Sequence, residues 1–518
     1  MSGRVTTAIL PFCQFNFFMF LPRLIFALFL FLNAFGSAAQ TLHYTITPVI
    51  SDGDKKCYLE VSVQFYPEPG DTSWFELPNQ LNWSEDLLHC FRNFRAEGKG
   101  GRFTRHPKYP HVVGVISRGA EPLTLHYEVW PNFKGEQVTL QNSSSPILQK
   151  DYLHIHGRCL FLTPRHYEIN DFYDVTIDWL KLPKRWTIQT SFNSGQTHQA
   201  FRAYNLDWRN SVCVAGDFRI YKSEVLGNPV YFAIRGQWVF EDQTLFDVIL
   251  KTIETQRQLW NDTNIPYYSV TMIPFIKPAR PVPGAWTGEY LGLGKYNSFA
   301  VYATDGCRLD NLIYLFNHEM MHDWIGQKIN PGDFDGPHKL RWFAEGFTEY
   351  LALRNCWKAG FFDQKDFFKR LNEENFEEHY TSDMGEIPAG DAELCFYYDT
   401  ECEHVPYERG FILAFYFDCA IRKKTGNERS LHDFMLEILE YFQNSGRTVD
   451  GHFEVFTETL GEYLGEDPTD FLNQHATEGK RIRPEDFLLP DYLQMTVNSK
   501  GVPKFALKAG ASEADFLK

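Results

Sequence analysis

Positive charge is scarce in this chain. Fifty Lys and Arg stand against 66 Asp and Glu, a formal net charge of −16. No basic run is long enough to override it, so the sequence excludes nucleic acid as a partner, because phosphate binding needs clustered cations. Cysteines number ten but never fall in C-x-x-C spacing. That excludes a zinc ribbon, and an odd nine beyond Cys13 argues against a disulfide framework. Cys395 and Cys402 are near enough to close a small loop in an oxidising compartment. The others read as small buried apolar residues. There is no internal repeat and no low-complexity tract. After the first 40 residues no segment is long and apolar enough to span a bilayer.

What is present is a globular chain, 44% hydrophobic and 16% aromatic over 518 residues, too long for one core. The N-terminus reads as an export signal covering residues 1–39, its true start possibly Met19. Arg23 precedes an apolar run from Leu24 to Phe35, and GSAAQ at 36–40 offers small residues for cleavage. The expectation is an exported protein, periplasmic or extracellular, with a retained anchor as the alternative.

Residues 40–225 predict an all-β domain. TLHYTITP (41–48), CYLEVSVQF (57–65), LTLHYEVW (123–130) and DVTIDWLKLP (174–183) alternate apolar and polar positions between turn formers, as sandwich strands do. No chemistry clusters there. HIHG (154–157) sets two imidazoles on one strand face, a weak second metal candidate more easily read as strand surface. Beyond Asp242 the period becomes helical, interrupted by strands at 267–276 and 297–303. Residues 226–400 predict a catalytic domain, 401–490 a helical domain, and 491–518 two short strands or a tail.

The chemistry concentrates in FNHEMMHDWIG (316–326). His318 and His322 lie four apart on one helical face, so both imidazoles can reach one metal. Glu319 sits beside the first, placed to act as base without being a ligand. The helix is expected to run on towards Pro331. RWFAEGFTEYLA (341–352) predicts a second helix, with Glu345, 23 residues past His322, as third ligand. The set implies one Zn2+ per chain, with a position left for water. HVPYERGFILAFYFDCAIRKKTGN (404–427) predicts a third helix with Pro406 at its first position. Tyr407 would then sit near the positive end of the dipole, where a phenol could share an oxyanion; packing is the alternative.

HEMMHDW, WFAEGFTEYLA and VPYERGF, in this order, resemble the gluzincin zinc metallopeptidases. The resemblance is strongest to the glycyl aminopeptidase family and more distant to the aminopeptidase N family. FRAYNLDWRNSVCVAGDFR (201–219) extends it to the junction of the β and catalytic domains. The resemblance implies a multidomain α+β chain: an N-terminal β-sandwich, a thermolysin-like catalytic domain and a helical C-terminal domain. It implies zinc on His318, His322 and Glu345, Glu319 as base, Tyr407 as the transition-state tyrosine and a peptide as substrate. The family's G-L-E-H stretch, whose Glu holds the substrate amine, corresponds here to Gly292, Leu293, Gly294 and Lys295. Gly294 replaces that Glu, and a neighbouring lysine repels an ammonium. Glu289 is the substitute candidate. Relatives often carry a PDZ domain after the helices, and about 28 residues are too few for one. Three readings follow: an aminopeptidase-like hydrolase, an endopeptidase or blocked-peptide hydrolase, and an inactive zinc protein that binds peptides.

Overall fold

The computed structural model describes residues 41–518, apart from 51–56, 69, 136, 277–287, 333–335, 337–338 and 446–451. The export-signal reading of residues 1–39 lies outside the described residues. No described helix is long and apolar enough to cross a membrane.

Alternating strands build the first layer. Six pair in the order His198–Tyr204, Phe172–Trp179, Thr41–Val49, Tyr58–Phe65, Leu123–Val129, Phe91–Glu97. In Thr41–Val49, Leu42, Tyr44 and Ile46 are buried while their neighbours are half-exposed, so one face meets a core. That core is shared with a four-stranded sheet ordered Thr187–Thr190, Val212–Gly216, Tyr152–His156, Ile147–Leu148.

This second sheet is buried on both faces, which is why every residue of Tyr152–His156 and Val212–Gly216 is inside. Leu153, Ile155 and Cys213 face the six-stranded sheet; Tyr152, Val212 and Val214 face a third sheet. His154 and His156 therefore lie in the intersheet layer and not on a strand surface. His156 Nε2 meets the Tyr302 hydroxyl at 2.9 Å, and that hydroxyl donates to the Ser143 carbonyl at 2.7 Å. Burial holds both imidazoles low, His154 down to about 3, so they are neutral network members. They are not among the residues that cluster as metal ligands.

The third sheet is ordered Arg219–Val225, Asn228–Ile234, Tyr268–Pro274, Ser298–Ala303, Tyr290–Lys295. Arg219–Val225 pairs with Asn228–Ile234 from its first residue to its last. The two strands Tyr268–Pro274 and Ser298–Ala303 run parallel in the middle, and Tyr290–Lys295 closes one edge antiparallel. Against this sheet pack helices Asp242–Leu259 and Leu309–Met321, then Trp342–Lys358 and Thr400–Lys424. One continuous apolar core runs from Val225 to Phe516. The C-terminal segment joins the same core. Leu493–Val497 and Pro503–Leu507 pair as a hairpin, Phe516 is 1% exposed, and the carbonyl of Lys518 accepts from Arg422 at 2.9 Å.

Candidate metal centre and active site

The histidine helix is shorter than its apolar run implies. Leu309–Met321 ends with His322 at the C-cap, and the chain then turns through Gly326 at φ 89°. The turn serves the site, since the Ile325 carbonyl lies 3.2 Å from His322 Nδ1 and directs Nε2 inward. Thr348 Oγ1 lies 3.5 Å from the same nitrogen.

Glu345 comes from Trp342–Phe347, a π-helical segment that continues as the α-helix Thr348–Lys358. A π segment widens the helix locally, and such segments recur at functional sites. Here it crosses Thr400–Lys424 with glycine against glycine. A Cβ on Gly346 would lie 2.2 Å from the Gly410 Cα, and one on Gly410 would lie 1.8 Å from the Trp342 carbonyl oxygen. That approach brings the tyrosine helix onto the glutamate helix. Its start is not where Pro406 predicts it. Asp399 caps the helix, accepting from the Glu401 and Cys402 amides, so Pro406 and Tyr407 are interior and Tyr407 owes nothing to a dipole end. The Cys395–Cys402 disulfide forms, Cα to Cα 5.8 Å, and ties this first turn to the preceding helix.

Three ligand atoms converge. His318 Nε2 and His322 Nε2 are 3.0 Å apart, and Glu345 Oε2 lies 3.5 and 3.4 Å from them. Four-coordinate zinc with bonds of 2.0–2.1 Å requires donor separations of about 3.3 Å, so the triangle fits the ion. Burial opposes ionisation of Glu345, but His322 and His318 outweigh it and hold the carboxyl well below its usual range. Burial likewise opposes charge on His322, and Glu345 reverses it, lifting the imidazole to about 9. Two imidazole nitrogens face to face beside an ionised carboxylate are a donor set shaped for a cation.

On the outer side of His318, Nδ1 faces Glu349 Oε1 at 3.3 Å, and Tyr314 donates to the other Glu349 oxygen. Sequence reading passed over Glu349, although it stands one turn after Glu345. Burial lifts its carboxyl to about 8.

Glu319 is set against the edge strand Tyr290–Lys295. A Cβ on Gly292 would lie 2.2 Å from Glu319 Oε1, and one on Gly294 would lie 3.3 Å from the His322 Cβ. Glycine at both places lets strand and histidine helix touch. Burial raises the Glu319 carboxyl, the direction that suits a proton acceptor. Tyr407 stacks beside His318, ring centroids 6.0 Å apart, and burial keeps its phenol protonated.

Two cavities meet at this point, both bounded by Trp83, Gly292, His318, Glu319 and Tyr407. The smaller, about 310 Å3, is acidic, with Glu374, Glu378, Glu403 and Glu408 in its wall. The larger, about 660 Å3, holds Arg158, Leu293, Gly294, Lys295 and Arg341. Glu289 lines neither. The β region does contribute to the cleft, through Gln80, Asn82, Trp83 and Arg158. No motif in the sequence marks those four, because they come from loops and strand ends.

Residues 311–386 match the model of the M61 glycyl aminopeptidase family. No curated protein matches the sequence. Among solved structures, the fold is similar to an aminopeptidase N family protein from Idiomarina loihiensis, 20% identical over 91% of this chain and 82% of that one, TM-score 0.67. It is also similar to the M1 zinc metallopeptidase from Deinococcus radiodurans, 15% identical over 88% of this chain and 96% of that one, TM-score 0.52. A mutant of that metallopeptidase bound to a Tyr-Ser-Ala substrate is 14% identical over the same shares, TM-score 0.53. The matched segment contains His318, Glu319, His322 and Glu345. The chain thus joins a glycyl aminopeptidase signature to a mixed α+β fold of the aminopeptidase N kind, which supports a zinc aminopeptidase-like peptidase.

Proposed function

We propose that the chain is an exported zinc metallopeptidase that hydrolyses peptides in the cleft between the edge strand and the tyrosine helix. The observation that carries this reading is the His318–His322–Glu345 triangle with Glu319 beside it and Tyr407 across from it. His318, His322 and Glu345 would hold one zinc ion, which supplies a Lewis acid to the scissile carbonyl and to the attacking water. Glu319 takes the proton of that water and later returns it to the leaving amine. Tyr407 donates its O–H to the developing oxyanion. Tyr290–Lys295 is the last strand of its sheet, and with Gly292, Leu293 and Gly294 it offers main-chain groups to an extended peptide. The third sheet with its helices is the thermolysin-like unit of this reading. The sheets before it are the β-sandwich, and the later helices complete the cleft.

Gly294 brings no carboxylate to a substrate amine. The acidic cavity supplies others: Glu403 is lifted to about 7 and Glu408 to about 9 by burial, as carboxyls short of cations are. The test is hydrolysis of one peptide with a free or an acetylated amino terminus, by zinc-loaded protein, with Glu319→Gln as control. Cleavage of the free peptide alone supports an aminopeptidase, and cleavage of both an endopeptidase. Stoichiometric zinc without cleavage of any peptide in a broad mixture leaves a peptide-binding protein. Unchanged turnover in Glu319→Gln overturns the mechanism.

A further inference from the structure

The larger cavity carries charge that this mechanism does not use. It opens from the ligand triangle along the edge strand to Arg158 and Lys295. Neither makes a hydrogen bond or ion pair among the described residues. Arg341, on the same wall, differs, because Glu393 holds it, with 2.7 Å from Nε to the carboxylate. Lys295 is 6% exposed, its stem inside the wall on the strand face opposite Gly294. Burial and then Arg158 draw its ammonium down to about 8, so it remains mostly charged at neutral pH. Glu319 supports the Lys295 charge from a distance, but neither cation has an ion-pair partner, and two adjacent cations so placed, one of them buried, are costly in any protein. In a chain of net charge −16 a carboxylate partner would have been easy to supply. Charge without a direct partner in a cleft is what a site kept for a ligand presents.

From this arrangement we infer that Arg158 and Lys295 form a carboxylate subsite, so that the preferred peptide carries an acidic group one residue from the scissile bond. The inference rests on the peptidase reading above and names its substrate class. One cavity is lined by both cations and by His318, Glu319, His322 and Tyr407, so one bound peptide can present an acidic group to the cations and a carbonyl to the ligand triangle. A carboxylate offers two charged acceptor oxygens to a guanidinium and an ammonium together, while the amide of the same shape offers one uncharged oxygen and an NH2 that neither cation can use. The acid is either an Asp or Glu side chain or a terminal α-carboxylate.

The experiment uses the zinc-loaded full chain and short peptides paired Glu against Gln at each position flanking the bond that is cut. Each pair is made with a free and with an amidated carboxyl end. The expected result is a ten- to hundredfold preference in kcat/KM for Glu over Gln at one position, the size of a charge-assisted hydrogen bond. The ratio should fall towards one in Arg158→Gln and in Lys295→Met. Reading the ratio removes any common effect of Lys295 on Glu319. Arg158 is accessible, so its variant reports even where Lys295→Met does not fold. A Glu-over-Gln preference that persists in amidated peptides assigns the acid to a side chain, and a preference of the same size for the free over the amidated carboxyl end, equal for Glu and Gln and lost in the same variants, assigns it to the α-carboxylate. Calorimetry with zinc-loaded Glu319→Gln measures the same selectivity without turnover. Glu-selective binding without hydrolysis by the wild type keeps the subsite and removes the peptidase reading. Hydrolysis at equal rates for Glu and Gln, and for free and amidated carboxyl ends, removes the subsite and keeps the peptidase. A wild-type preference that survives in both variants also overturns the assignment.

Discussion

Gly346 and Gly410 cross in backbone contact: a Cβ on the first would sit 2.2 Å from the Cα of the second. The glutamate ligand and the transition-state tyrosine of the proposed mechanism are held together by the absence of two side chains. Gly346→Ala or Gly410→Ala must push the helices apart. Either variant should lose about 1–3 kcal/mol by overpacking, measured by denaturant unfolding. It should also lose turnover beyond its loss of folded protein, because Tyr407 retreats with its helix. Full stability in both variants would show that the crossing yields.

Gly292 stands in the same relation to Glu319. Its missing Cβ would lie 2.2 Å from Oε1, so Gly292→Ala must displace the carboxylate. The three ligands are untouched. We expect stoichiometric zinc by elemental analysis and kcat lower by roughly a hundredfold, the effect of moving a reacting group by about an ångström.

Glu349 Oε1 lies 3.3 Å from His318 Nδ1, the position from which an outer carboxylate orients a metal-binding imidazole. Removing such partners typically costs 10–100-fold in metal affinity. Competition with a chromophoric chelator should show that loss in Glu349→Ala, and Glu349→Gln should recover part of it. Equal zinc affinity in wild type and Glu349→Ala would assign Glu349 to packing alone.

Beneath the site, Asp418 is 1% exposed, bound by Arg422 at 2.9 Å and Tyr350 at 2.6 Å. Burial alone would raise its carboxyl; Arg422 and then Arg354 overcome that and bring it down to about 2. A folded value below the unfolded one contributes stability above the unfolded value and loses it as pH falls. The window is therefore about pH 4 to 2, and the contribution about 2 kcal/mol. Acid titration of unfolding should show the wild type losing that increment, while Asp418→Asn, already less stable at pH 7, shows a shallower slope there.

Local pattern was sufficient for whatever is local. Two histidines four apart share a helical face in any fold, so His318, His322 and Glu319 were legible from spacing alone. Alternation in Thr41–Val49 and Leu123–Val129 marked the strands with one wet face. Where a strand is covered on both sides the alternation disappears, which is why Tyr152–His156 read as surface and proved to be an intersheet layer. The helix boundaries at Met321 and Asp399 were not legible either, because a turn at Gly326 and a cap by Asp399 overrode apolar period and proline placement. Tertiary structure alone decided the rest. It set the triangle of 3.0–3.5 Å, the glycine contact that joins two helices, and the split of the cleft into acidic and basic halves. Those relations bring Trp83, Arg158, Lys295, Glu319, Glu345 and Tyr407 together across more than 300 residues of chain. Side-chain spacing along one helix is set by its own geometry, but a cleft is set by which surfaces the core leaves unburied.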